Sequence, residues 1–159
     1  MSDDRFAAAT SETFAFLDER GFERRESRWR VDYRNATTLV SVALSPPPEA
    51  ELGVRLTPAE GGEAIELGAL LEARGAPLPP ENAMPADPHL PEALEAWAAA
   101  LREHAEPLLR GDFEGLDDAR AVQRRRREEF EGSLAEMRER AAERHANAGW
   151  LRRLWSRLP

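Results

Sequence analysis

The chain of 159 residues contains no cysteine. Disulfides, thiolate metal sites and a cysteine nucleophile are therefore excluded, and a reducing compartment is the expected setting. Lysine is missing too, since all 22 basic residues are arginine. Schiff-base and P-loop lysine chemistry go with it, and the bias fits a GC-rich genome. No apolar run approaches the roughly 18 residues of a spanning helix, and the N-terminus, MSDDRFAAAT, lacks the basic start and apolar run of a secretory signal. The expected location is the cytoplasm, with a peripheral position at the inner membrane face as the alternative. G-x-S-x-G, P-loop and dinucleotide fingerprints are also absent, because the glycines fall at turns and helix ends.

What remains is a charged, foldable composition of 42% hydrophobic and 33% charged residues, enough for one domain with a real core and an appended helix. Charge is unevenly placed. Residues 1–115 hold 11 Arg against 22 Asp and Glu, net −11, while residues 116–159 hold 11 against 8, net +3. The expected organisation is an acidic α+β domain over 1–115, a charged helical arm over 116–148 and a basic amphipathic tail over 149–159.

Helical spacing of Phe6, Thr10, Thr13, Phe14 and Leu17, stopped by Gly21, predicts a first helix. The period then becomes two. Trp29, Val31 and Tyr33 alternate with Arg28, Arg30, Asp32 and Arg34, and TTLVSVAL and ELGVRL give two further strands. Ile65 and Leu67 suggest a short fourth strand leading into a helical turn that Gly75 ends. Short connections predict a three- or four-stranded antiparallel meander. Residues 76–91 hold six prolines, Met84 among apolar neighbours, and read as a loop packed across the body or a boundary. Two long helices follow. The first carries Leu90, Leu94, Trp97, Leu101, Ala105 and Leu108, with Pro107 loosening its last turn. The second, from about Asp117 to His145, carries a thin stripe of Ala119, Val122, Phe130, Leu134, Met137 and Ala141, interrupted near Arg126, with no sustained heptad repeat.

Candidate sites are few. The RRRR run at 124–127 is answered at four-residue spacing by Glu128, Glu129 and Glu131, so no nucleic-acid partner is expected. The histidines, His89, His104 and His145, lack metal-binding helix spacing, and neither a metal nor a cofactor is expected. His104 with Glu103 or Glu106 is the one candidate for acid–base chemistry. Arg28, Arg30 and Arg34, with Arg24 extending the row, form a candidate partner-binding ladder on the outward face of their strand. The alternative is the polar face of a half-solvated sheet.

The tail, GWLRRLWSRLP, segregates cleanly. At 100° per residue, Trp150, Leu151, Leu154, Trp155 and Leu158 fall on one half of a helix, and Arg152, Arg153, Ser156 and Arg157 on the other. Nine residues span only about 13 Å, too short to cross a bilayer but suited to its interface. Three uses stay open: docking on the body, contact with a second subunit or partner, and an anionic membrane surface.

The order FLDERGF, VDYRN, ELGVRL, LLEARGAP and LREHAEPLLRGD, over about residues 14–116, resembles a set of small, mostly uncharacterised bacterial proteins, some similar to polymorphic-toxin immunity proteins. The resemblance implies a helix against an antiparallel sheet and a binding rather than catalytic role. It supplies no catalytic residue and does not extend to the tail. The expectation is thus a non-enzymatic bacterial protein that binds another protein, a toxin or a second copy through the C-terminal helices. The means is the acidic body or the arginine-bearing sheet face, with membrane attachment through the tail and an unrecognised enzyme as alternatives.

Overall fold

The computed structural model describes residues 3–46, 50–81 and 88–155, with side chains for 5–46, 50–81 and 88–144. Two compact units divide it, Met1–Gln123 and Arg124–Pro159.

The first unit is α+β. Its helices are α1 (Asp3–Thr13), α2 (Ala15–Glu19), α3 (Leu67–Ala73), α4 (Leu90–His104) and α5 (Glu106–Leu109), together with the start of α6 (Asp117–Trp155). Its strands are β1 (Glu23–Ser27), β2 (Arg30–Arg34), β3 (Thr38–Leu44), β4 (Leu52–Pro58) and β5 (Ile65–Glu66), antiparallel in the order β1-β2-β3-β4-β5. The sheet therefore has five strands rather than three or four. The addition is β1, ERRES, every residue of which is exposed. A strand with no buried face shows no apolar alternation, so period-two reading passes over it.

Alternation fixes which face is covered. Val31, Tyr33, Val40, Val42, Leu44, Leu52, Val54, Leu56 and Ile65 are all buried on one side. Helices α1, α3 and α5 lie on that side, and α4 packs on α1 and α3. Phe6, Phe14 and Leu17 are the N-terminal contribution to this core. Burial of the large apolar side chains of this core, at roughly 1.5–3 kcal/mol each, opposes the conformational entropy of the unit.

Local chemistry explains the breaks. Pro107 cannot donate to the carbonyl of Glu103, and the predicted long helix divides at Ala105 into α4 and α5, with Pro107 in the first turn of α5. In the turn between β2 and β3, the Asn35 carboxamide oxygen accepts bonds from the Thr37 and Thr38 amides at 2.9 and 2.8 Å. The proline-rich segment crosses the body as far as it is described: the Trp97 indole donates to the Pro80 carbonyl at 2.8 Å, and the Leu52 amide to Glu81 at 2.6 Å. Met84 lies outside the described residues.

The predicted separation of arm and tail into two helices is corrected. Helix α6 runs unbroken from Asp117 through Gly149 to Trp155, about 58 Å at 1.5 Å per residue. Glycine costs a helix interior only about 1 kcal/mol, and the alanines before it sustain the turn. The apolar stripe of α6 also divides. Ala119 and Val122 are buried with the first unit, whereas Phe130 and Met137 are 63% and 52% exposed. Gln123 ends the first unit as a two-way plug on the sheet edge, accepting from the Glu66 amide at 2.7 Å and donating to the Ala64 carbonyl at 3.0 Å. This covers an edge that would otherwise present unpaired main-chain groups.

Tyr33 shows how polar atoms survive in the core. Its ring is buried beside Phe14, with centroids 6.2 Å apart, and its hydroxyl donates to the Thr10 carbonyl at 3.3 Å. Burial, reinforced by the Asp18 carboxylate, pushes the phenol up to about 12. A raised acid constant means that the folded state holds its proton more tightly. Its stabilisation is complete below the unfolded value near 10 and is lost as pH rises through about 12. Denaturation measured at pH 9 and pH 12 is expected to show a decline that is shallower in Tyr33→Phe; equal declines would contradict this account.

Candidate partner surface

The face of the sheet opposite the core carries no helix of the first unit among the described residues. Register assigns its occupants. Ser27 pairs with Arg30, Arg25 with Asp32 and Glu23 with Arg34 across β1 and β2. Across β2 and β3, Arg30 opposes Ala43, Asp32 opposes Ser41 and Arg34 opposes Leu39. Continuing, Gly53, Arg55 and Thr57 of β4 and Glu66 of β5 complete the face. Directly opposed residues share a face of the pleat.

This register revises the arginine ladder. Arg30 and Arg34 are outward as expected. Arg28 is not on the strand: with Trp29 it forms the two-residue turn joining β1 to β2, its guanidinium 5.4 Å from the Trp29 ring centroid. Trp29, expected on the buried face of β2, is half-buried in that turn and packs against the core margin. Arg24 opposes Tyr33 and so belongs to the other face, where it pairs with Asp18 and Glu26, both at 3.2 Å. Arg25, which sequence reading missed, takes its place. The signal was available only through pairing, because counting outward from a two-residue turn at Arg28 and Trp29 sets Arg25 beside Asp32.

The face is bonded internally. The Arg30 guanidinium donates to Asp32 at 2.7 Å and to the Ser41 hydroxyl at 3.0 Å, and Ser41 donates to Asp32 at 2.6 Å. Arg55 pairs with Glu66 at 3.3 Å. Exposed pairs of this kind contribute roughly 0–1 kcal/mol, so the triangle orients its members more than it stabilises the fold. Arg34 donates to the Ala59 carbonyl at 3.1 Å, which uses one of its five N–H groups. Beside it lies a shallow depression of about 250 Å³ lined by Glu23, Arg24, Arg25, Asp32, Arg34 and Leu39. The surface thus sets half-buried Leu39, Ala43 and Thr57 among arginines and carboxylates, with Ser41 between Leu39 and Ala43 on β3.

The other candidates are placed as follows. His104 ends α4 with its side chain 24% exposed and Nε2 3.8 Å from Glu103, beyond hydrogen-bond range. Glu106 turns elsewhere, accepting from Arg20 at 2.6 Å and pairing with Arg110 at 3.1 Å. The Arg20 hydrogen bond holds its carboxyl below the usual carboxylate range. Among the described residues no group of three His, Asp or Glu side chains is placed to hold a metal ion. The side chains of Trp150, Leu151, Arg152, Arg153, Leu154 and Trp155 lie outside the described residues, as do Arg157 and Leu158 entirely. No described helix is long and apolar enough to cross a membrane. No protein-family model, curated protein or solved structure matches the chain.

Proposed function

We propose that the chain is a non-enzymatic protein-binding protein of the immunity or adaptor kind, and that its partner docks on the open face of the sheet. The observation that supports this reading is the one-sided cover of the sheet, which leaves half-buried Leu39 and Ala43 on the uncovered face beside Arg25, Arg30, Arg34 and Arg55. Apolar side chains set among arginines are common at protein interfaces. Arg25 and Arg34 are the donors with most capacity for a partner's carbonyl or carboxylate oxygens. The rest of the unit sets the partner's overall charge. Residues 1–123 hold 12 Arg against 24 Asp and Glu, net −12, which steers a basic protein toward the surface.

The test is co-purification with the tagged full chain at low and high salt, alongside Arg34→Glu combined with Leu39→Asp. Both residues lie outside the core, so the variant keeps the fold. The expected result is one basic protein captured by the natural chain, less of it at high salt, and at least about tenfold weaker capture by the variant. Capture of no protein at any salt, or equal capture by the variant, would overturn the reading.

A further inference from the structure

Beyond the sheet face, the second unit presents a different surface. From Arg124 to Arg144 the side chains of α6 are exposed, apart from the half-buried Arg126 and Leu134. Phe130, Leu134, Met137 and Ala141 recur at intervals of four, three and four residues. That alternation of four and three is the order of the d and a positions of a coiled-coil seam. Arg127 and Arg144 occupy the next seam positions on either side, so the apolar part is four positions long. Gly132, the poorest helix former in the segment, falls on the outward side.

We propose that this seam pairs with the same seam of a second copy of the chain, as an antiparallel two-helix coiled coil. Size complementarity selects the direction. Setting Leu134 against Met137 of the second copy brings Phe130 against Ala141, so the largest side chain meets the smallest in both outer layers. A parallel pair would stack Phe130 on itself and Ala141 on itself, giving one crowded layer and one underfilled layer. Charge complementarity points the same way. In the antiparallel register Glu131 flanks Arg138 of the second copy, and the two-fold axis repeats the contact. An anionic membrane is the poorer occupant, since residues 128–143 carry six Glu against two Arg, net −4.

Sedimentation equilibrium of the full chain at micromolar concentrations is expected to give a dimer. Leu134→Glu combined with Met137→Glu should raise the dissociation constant at least about 100-fold, two side chains at hot-spot scale, while circular dichroism shows the body still folded. Glu131→Arg alone should weaken the dimer, and adding Arg138→Glu in the same chain should restore it. The absence of native cysteine makes cross-linking clean. Ala141→Cys should form no disulfide by itself, because two such residues sit about 16 Å apart along antiparallel helices, but should cross-link when mixed with Phe130→Cys. The proposal is overturned by a monomer at every concentration, by a dimer indifferent to the Leu134 and Met137 substitutions, by self-cross-linking of Ala141→Cys, or by a monomer that floats with anionic vesicles unless Phe130 and Met137 are replaced.

Discussion

Trp97→Ala is expected to lower the free energy of unfolding by about 3–5 kcal/mol, the range for emptying a large aromatic site in a core. Trp97 is 2% exposed on α4 and is among the largest fully buried side chains. Its removal also orphans the Pro80 carbonyl that accepts its indole N–H at 2.8 Å. The substitution therefore acts twice, by leaving a cavity under α4 and by releasing the proline-rich segment from the helix it crosses. Trp97→Phe separates the two effects. It keeps most of the volume, loses the hydrogen bond, and should cost about 1–2 kcal/mol. Domains of this size are stable by about 5–15 kcal/mol, so Trp97→Ala should shift a urea midpoint well outside error. A loss below about 1 kcal/mol would show that α4 and the segment through Glu81 are not packed together as described.

Gly111→Ala is expected to cost about 2–4 kcal/mol, from two sources that a control can separate. Gly111 follows α5 with φ +87°, a conformation that disfavours a side chain, and an added Cβ would stand 2.6 Å from the Thr37 Cβ. Gly21 has a similar φ of +83° with nothing within 4 Å. Gly21→Ala should therefore show the backbone strain alone, roughly 1–2 kcal/mol, and the excess in Gly111→Ala measures the close approach. Because the nearest atom is Thr37 Cβ rather than the hydroxyl, Thr37→Ala should not rescue Gly111→Ala, whereas Thr37→Gly should do so in part. Equal losses at Gly21 and Gly111 in thermal denaturation would refute the contact. The contact matters to the sheet face because it fixes the turn beside Arg34, whose guanidinium reaches the Ala59 carbonyl next to that turn.

The candidate surface was half legible beforehand. Arg30 and Arg34 were placed correctly because they alternate with Val31 and Tyr33, whose burial sets the face. Arg28 and Arg24 were misplaced for a common reason. Extending the alternation backwards past Arg30 assumes one continuous strand, but the chain reverses at Arg28 and Trp29. The reversal lacks the glycine or asparagine that normally marks a two-residue hairpin, so no local residue announced it. The stripe of α6 shows the same limit from the other side. Ala119, Val122, Phe130 and Met137 look alike in sequence, yet only the first two meet a core.

By itself, the sequence determined the elements whose apolar period is strong. These are a helical N-terminal segment, which the structure divides at Phe14 into α1 and α2, the strands containing Val31, Val42 and Val54, the helix bearing Trp97, and a disturbance from Pro107, which the structure turns into a division at Ala105. Each follows from a local rule, either a face that must be buried or a ring nitrogen that cannot donate. Only the tertiary structure decided where polar segments belong. ERRES becomes a strand because β2 offers it a hydrogen-bonding edge, and the Gln123 side chain of α6 caps the edge that β5 leaves uncovered. Main-chain pairing carries no side-chain signature, and one charged surface residue resembles another until a register assigns it a face.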